Sequence, residues 1–211
     1  MFWMIEVVVS LVFAFYFIKR EKPKVRFLLY GYVFFGVALL LQLPFKYIQI
    51  KFLPYFQGSS VPFLIFSFLS IIVVEVSKYF SLKRFLKTRS FKNGILFGIG
   101  WASFESINFI KLSFFSFIFS FIRLSFDVSS FLSPKYEFFG FVFLFSVNLA
   151  ATVLIVFSVI KKNLFYLFYA MLFSFLVFVC FNSFSGWDLV GFCIFAFLYS
   201  LFIIFHYRKI K

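Results

Sequence analysis

Residues 138–160 read FFGFVFLFSVNLAATVLIVFSVI, an apolar stretch that contains no charged residue and is followed by Lys161 and Lys162. A helix needs about 20 mainly apolar residues to cross the hydrocarbon core of a bilayer, so this stretch is long enough to span a membrane. Of the 211 residues in the chain, 64% are hydrophobic and 13% are charged. Because soluble domains carry about 25% charged residues, this composition excludes an ordinary soluble globular protein.

Six further apolar stretches have about the length of a membrane span. They cover residues 2–18, 28–43, 61–80, 93–110, 163–181 and 189–207. The loops between them are too short to form a second folded unit. We therefore predict an all-α fold, a polytopic transmembrane helical bundle of about seven spans that forms a single integral membrane domain over residues 1–211. The first stretch lacks the pattern of a cleavage site, and we expect it to remain as a membrane helix.

The topology depends on an eighth apolar stretch, residues 112–126, which is short, rich in Ser and Phe, and contains Arg123. If it spanned the membrane, Lys161 and Lys162 would lie outside. If it forms an interfacial hairpin, fifteen of the 21 Lys and Arg residues lie on the cytoplasmic side, as the positive-inside rule favours. We therefore expect a multi-pass protein of the cell membrane with this hairpin, its N-terminus outside and its C-terminus in the cytoplasm.

The net charge of +14 would suggest a nucleic-acid partner in a soluble protein. Here the basic residues cluster between apolar stretches, at 19–26, 83–92 and 208–211. Such clusters are typical of cytoplasmic loops, where they can also contact anionic lipid headgroups. We therefore expect the lipid bilayer as a partner and no nucleic acid.

Two carboxylates lie inside predicted spans, where an ionisable group costs about 2.5–3.5 kcal/mol and is a candidate for function. Glu75 precedes the basic cluster at Lys83, and Glu105 follows Asn93 on the next helix. At a rise of 1.5 Å per residue, they lie roughly 12 Å and 18 Å from the cytoplasmic edge. Because consecutive helices run antiparallel, the two carboxylates are predicted to reach a similar depth.

The faces of these two helices can also be predicted. Gly94, Gly98 and Glu105 fall on one stripe of their helix, and the two glycines form a small-xxx-small pair that lets another helix approach closely. Glu105 is therefore predicted to point into the bundle. Lys78 follows Glu75 by three residues and shares its face, so an internal ion pair with a purely structural role is one interpretation.

A third polar group is predicted near the middle of the membrane. Asn148 lies roughly 20 Å from the level of Lys161, and Thr152 follows it by one turn on the same face. Asn in a span is more often a hydrogen-bonding contact between helices than a catalytic group. Glu75, Glu105 and Asn148 are nevertheless predicted to converge at similar depth.

Two segments of the chain carry motifs. VEVSKYF, residues 74–80, places Glu75 and Lys78 in an E-x-x-K arrangement, and NGILFGIGWASFESI, residues 93–107, is a Gly-rich helix that ends near Glu105. Both segments resemble motifs of the YhfC and PrsW families of polytopic membrane proteins. These families are related to the CAAX-protease and bacteriocin-processing superfamily of intramembrane proteases.

Two shorter segments extend the resemblance. LLQLPF contains Gln42 and Pro44, and resembles the end of the second span in the YhfC type. SVNLAAT resembles the third family motif, with Asn148 at the position of a His and Thr152 at the position of a hydroxyl residue.

The chain departs from the family pattern at the histidine positions. Trp101, Asn148 and Ser174 stand where the family often has His, and the single histidine, His206, lies at the cytoplasmic end of the last span. A zinc site normally has three protein ligands, commonly including His. The divalent metal that the resemblance suggests would therefore have an incomplete ligand set, and we assign no metal ligand.

The resemblance implies an intramembrane endopeptidase that cleaves membrane-embedded peptide substrates. The candidate catalytic residues are Glu75, Glu105 and Asn148, with Lys78, Gly98 and Thr152 in supporting positions. Without metal, one Glu would act as acid or base, the other would stay ionised beside Lys78, and Asn148 would stabilise an oxyanion. One alternative is a catalytically inactive relative that acts as a membrane binding or scaffold protein. Another is a small transporter that uses the carboxylates as a proton relay.

Overall fold

The computed structural model describes residues 2–52, 61–85, 90–106, 137–183 and 186–209. Within these ranges the chain forms seven α-helices and no strand. The helices are α1 (Phe2–Glu21), α2 (Arg26–Phe52), α3 (Val61–Phe85), α4 (Phe91–Ser106), α5 (Glu137–Lys161), α6 (Phe165–Ser183) and α7 (Gly186–Lys209). One helix lies on each of the seven predicted spans, which confirms the all-α prediction. The eighth stretch, 112–126, lies outside the described residues.

Three of the described helices are long and apolar enough to cross a membrane. The qualifying segments are Arg26–Phe45 in α2, Leu64–Phe85 in α3 and Val142–Lys161 in α5. The apolar segments Phe165–Cys180 in α6 and Gly191–His206 in α7 are shorter. These helices support the prediction that the chain associates with a membrane.

The helix α2 extends further than the predicted span, which ends at residue 43. It continues through Pro44 to Phe52. Proline removes one backbone donor and crowds the preceding turn, and it usually kinks or ends a helix. The apolar stretch defines how much of the helix can lie in hydrocarbon, whereas the backbone continues beyond it as a helix carrying more polar residues. Span and helix therefore have different ends here.

Helix α4 lies at the centre of the bundle, packed between α2 and α5. Every side chain from Asn93 to Ser103 is buried. A Cβ atom on Gly94 would lie 2.6 Å from Cγ2 of Val156, and one on Gly98 would lie 2.8 Å from Cγ2 of Thr152. The predicted small-residue face of α4 is therefore the surface on which α5 packs.

On its other side, α4 approaches the backbone of α2. A Cβ atom on Gly100 would collide with the backbone carbonyl oxygen of Leu28, and one on Gly31 would collide with that of Phe97. Glycine at both positions lets the two backbones come into contact, as at small-residue interfaces between membrane helices. This contact sets the distance between α2 and α4.

The connection between α1 and α2 is held against the start of α4. Lys22 follows α1 in a left-handed conformation with φ of 48°. The backbone N–H of Lys24 then donates to Oδ1 of Asn93 at 3.0 Å. The Lys92 ammonium lies 3.0 Å from the Glu21 carboxylate. These contacts bring the end of α1 to the first turn of α4.

Replacing Gly100 with alanine is expected to destabilise the protein by about 1–3 kcal/mol, because the added methyl group would meet immobile backbone. Gly36→Ala is the matched control, since no described atom lies within 4 Å of the position of its Cβ. The control should be stabilised by up to about 1 kcal/mol through helix propensity. Thermal unfolding in detergent measures both, and equal shifts would contradict the close packing of α2 and α4.

Candidate functional site

Three charged side chains meet inside the bundle. Helix α3 places Glu75 and Lys78 on one face, with Nζ of Lys78 3.2 Å from Oε1 of Glu75. The same ammonium lies 3.7 Å from Oε2 of Glu105 on α4. Glu75 and Lys78 are only 2% and 0% exposed. The internal ion pair considered from the sequence is therefore present, and it extends to a second carboxylate on the neighbouring helix.

Trp101 completes the surroundings of Glu105 and Lys78. Its Nε1–H donates to Oε2 of Glu105 at 2.7 Å, and the Lys78 ammonium lies 5.4 Å from the centre of its ring. The fully buried indole packs edge-on against Phe35. Trp101 therefore holds the carboxylate by a hydrogen bond and the ammonium by a cation–π contact. Because Trp101 and Glu105 are four residues apart, they lie on one face of α4, and this spacing could have revealed the contact.

The two oxygens of Glu75 have different environments. Oε1 faces Lys78 and also accepts a hydrogen bond of 2.9 Å from Oγ of Ser174 on α6. Oε2 is buried and has no hydrogen-bond partner among the described residues. A buried carboxylate oxygen normally has a partner, because leaving it without one is costly. Oε2 is therefore a buried acceptor that the described side chains leave without a hydrogen bond.

A cavity of about 200 Å³ adjoins this carboxylate. Its polar lining includes Glu75, Glu105, Asn148, Ser174 and Gln42, contributed by five different helices. Because a water molecule takes up about 30 Å³ in the liquid, the cavity has room for several. The structure thus brings Glu75, Glu105 and Asn148 together at one cavity, as their predicted depths indicated.

Two further cavity residues, Ser67 and Ser70, were not identified from the sequence. On α3, Ser67 lies about two turns and Ser70 about one and a half turns before Glu75. The side-chain amide of Gln42 donates to the backbone carbonyl of Ser70 at 3.4 Å, which joins α2 to this face. The helical spacing of Ser67, Ser70, Glu75 and Lys78 marks one polar stripe and could have revealed it.

Thr152 and Gly98 do not line the cavity. The hydroxyl of Thr152 donates to the backbone carbonyl of Asn148 at 2.8 Å, and its methyl group packs against Gly98. These two residues hold α4 and α5 together. Asn148, one turn before Thr152 on α5, does line the cavity.

The residues around the cavity do not fit a zinc site. The ammonium of Lys78 lies between the two carboxylates that would have to supply ligands, and its charge opposes that of a divalent cation. Among the described residues, no group of three His, Cys, Asp or Glu side chains could hold a metal ion. Any chemistry proposed for this cavity therefore relies on its own side chains.

No family model matches the chain, and neither a curated protein nor a solved structure matches it. The resemblance to the YhfC and PrsW families thus remains a prediction from the quoted motifs.

Lys78→Met is expected to destabilise the protein by about 3–5 kcal/mol, because it leaves the buried Glu75 and the half-buried Glu105 without their cation. Lys83→Met, an exposed lysine on the same helix, is the control and should have little effect. Adding Glu75→Gln and Glu105→Gln to Lys78→Met should restore most of the loss. Unfolding in detergent measures all three variants. Equal stability of Lys78→Met and the parent would show that the ammonium does not compensate these carboxylates.

Proposed function

We propose that the chain is an integral protein of the cell membrane with seven spans. The support is a helix on each of the seven predicted spans, three of them long and apolar enough to cross a bilayer unaided. The last turns of α1 and α3 each carry two basic residues, whereas that of α2 carries only Lys51, which favours placing the ends of α1 and α3 in the cytoplasm. The N-terminus is then outside and the C-terminus inside.

Within this topology, we infer that the cavity is a site for hydrolysis of membrane-embedded peptide substrates. The observation that carries the proposal is the buried Oε2 of Glu75, which has no partner among the described residues. Glu75 lines a cavity together with a second carboxylate and two amides. A buried carboxylate with one free oxygen can act as a general base when a water molecule lies within hydrogen-bond reach.

The reaction needs only groups already at the cavity, together with water and substrate. Glu75 takes a proton from water as the water oxygen bonds to the peptide carbonyl carbon. The side-chain amide of Asn148 donates to the resulting oxyanion. The C–N bond then breaks, and the protonated Glu75 returns its proton to the departing nitrogen. The products are a carboxylic acid and an amine.

The remaining charged and polar groups act as positioning residues in this scheme. Lys78 and Ser174 fix Oε1 of Glu75 and leave Oε2 as the oxygen without a partner among the described residues. Trp101 and Lys78 hold the carboxylate of Glu105 in its orientation. This arrangement agrees with the protease relationship suggested by the YhfC-like and PrsW-like motifs, but it uses no metal ion.

One observation favours the alternative of a catalytically inactive binding or scaffold protein. Lys78 contacts both carboxylates, so much of their charge is compensated within the protein, as in a purely structural network. In that case the same cavity would bind a segment of another membrane protein without cleaving it. Hydrolysis would release two peptide fragments, whereas binding alone would leave the bound protein intact.

Glu75→Gln is expected to reduce cleavage at least about 100-fold, because it removes the general base while keeping the shape of the side chain. Membrane fractions from cells expressing the parent or the variant are compared by mass spectrometry for new peptide termini within apolar segments. Asn148→Ala should reduce their yield by about 10²–10³-fold.

Glu137→Gln, a change of the same kind at the first residue of α5, is the control and should give the parent's products. If the parent generates no termini that Glu75→Gln lacks, the hydrolase proposal is wrong. Equal capture of one membrane protein by the parent and by Glu75→Gln would then support the scaffold function.

Reporter fusions test the proposed topology. Alkaline phosphatase should be active when fused after residue 55 and inactive after Lys162 or Lys211, because the last two positions are predicted to be cytoplasmic. A fluorescent protein active only in the cytoplasm should give the reverse pattern. Phosphatase activity after Lys162 would show instead that residues 112–126 span the membrane.

A further inference from the structure

A second and larger cavity, of about 440 Å³, lies on the opposite side of α5 from the polar one. Its size falls within the roughly 300–1,000 Å³ typical of ligand sites. We name it the α1–α7 groove. It is walled by apolar side chains of α1, α4, α5 and α7, among them Phe13, Ile95, Phe145, Leu201 and Phe205.

One end of the groove carries basic side chains. Arg20 and Lys92 line it together with Glu21, so one carboxylate faces two cations. A guanidinium N–H of Arg20 donates to the hydroxyl of Tyr16 at 3.0 Å, and Lys92 pairs with Glu21 at 3.0 Å. Arg20 keeps further donors beyond its contact with Tyr16. This end therefore has an excess positive charge and donors suited to a phosphate group.

The length of the groove matches half a bilayer. Its lining on α1 runs from Arg20 to Val9, roughly 17 Å along the helix axis. The hydrocarbon core of a bilayer is about 30 Å thick, so one leaflet contributes about 15 Å. In the proposed topology the basic end lies at the cytoplasmic surface, and the lining on α1 ends near the middle of the membrane. The lining on α5, Val142 to Leu149, lies roughly 18–28 Å from Lys161 along the helix and so reaches beyond the middle.

We propose that the α1–α7 groove binds one phospholipid of the cytoplasmic leaflet with an anionic headgroup. Its phosphate pairs with Arg20 and Lys92, and one acyl chain lies along Phe13, Phe145 and Leu201. Basic pockets between membrane helices on the cytoplasmic side are known sites for anionic lipid headgroups. The groove is separate from the cavity of Glu75, so this binding goes beyond the proposed hydrolysis and relies only on the membrane placement.

Lipid binding to the full chain in detergent tests the headgroup contact. Phosphatidylglycerol and phosphatidylcholine with identical acyl chains are titrated, and bound lipid is counted by native mass spectrometry. Phosphatidylglycerol should bind more tightly. Arg20→Gln and Lys92→Gln should each weaken it by roughly fivefold, which corresponds to about 1 kcal/mol per basic residue, with little effect on phosphatidylcholine.

Arg84→Gln is the control for Arg20→Gln, and Lys161→Gln is the control for Lys92→Gln. Each control removes the same side-chain charge from an exposed position outside the groove. They should retain the preference for phosphatidylglycerol. If they lose it as strongly as the groove variants, or if the parent binds both lipids equally, the basic end of the groove does not select an anionic lipid and the proposal is overturned.

Ser10→Phe tests the acyl chain. The Ser10 side chain lines the groove, and its hydroxyl has no hydrogen-bond partner among the described residues, so the substitution fills space without breaking a bond. Phosphatidylglycerol binding should fall at least tenfold, with thermal unfolding confirming a folded variant. If a folded Ser10→Phe variant binds phosphatidylglycerol as tightly as the parent does, the proposal is overturned. Displacement of the lipid by glycerol phosphate at equal concentration would also overturn it, because that compound has no acyl chain. Neither readout depends on peptide cleavage.

Discussion

A lysine ammonium without exposure to solvent is the constraint on which the centre of this bundle depends. In an apolar interior a single charge is very costly, so Lys78 requires opposite charge within reach. It takes one carboxylate from its own helix and one from α4. Trp101 then supplies a ring face for the ammonium and an N–H for the second carboxylate. The rotation of α3 about its axis is thereby tied to that of α4.

Close helix packing makes this pairing possible. Gly98 and Gly100 lie on different sides of α4, and they admit α5 and α2 respectively. Because α4 is held on both sides, Glu105 is carried to a fixed place beside α3. The same packing presents Asn148 of α5 to the cavity, while the methyl group of Thr152, one turn later, packs against Gly98 of α4. Small residues thus position the polar groups without touching the cavity themselves.

The bundle contains two cavities with different linings. The smaller cavity has carboxylates, two amides and hydroxyls among apolar side chains. The larger one is mostly apolar and is basic at one end. Helices α4 and α5 contribute to both. Helix α5 presents opposite faces to the two cavities, whereas α4 lines one near its end, with Glu105, and the other near its start, with Phe91, Lys92 and Ile95. Polar chemistry and contact with lipid can therefore occur in one small protein without sharing a site.

The sequence by itself determined the helical segments, because the length of an apolar stretch and the charges beside it are local properties. It also determined the pairing of Glu75 with Lys78, which follows from their spacing on one helix, and the small-residue face of α4. The structure extended α2 through Pro44, since the end of an apolar stretch does not set the end of a helix.

Only the tertiary structure decided that Lys78 also reaches Glu105 and that the hydroxyl of Ser174 meets Glu75. It likewise decided that Glu75 lines a cavity and that one of its oxygens has no partner among the described residues. These contacts depend on which helices are neighbours and how each is rotated about its axis. Spacing along a single helix cannot specify either, because both arise from packing between segments distant in the chain.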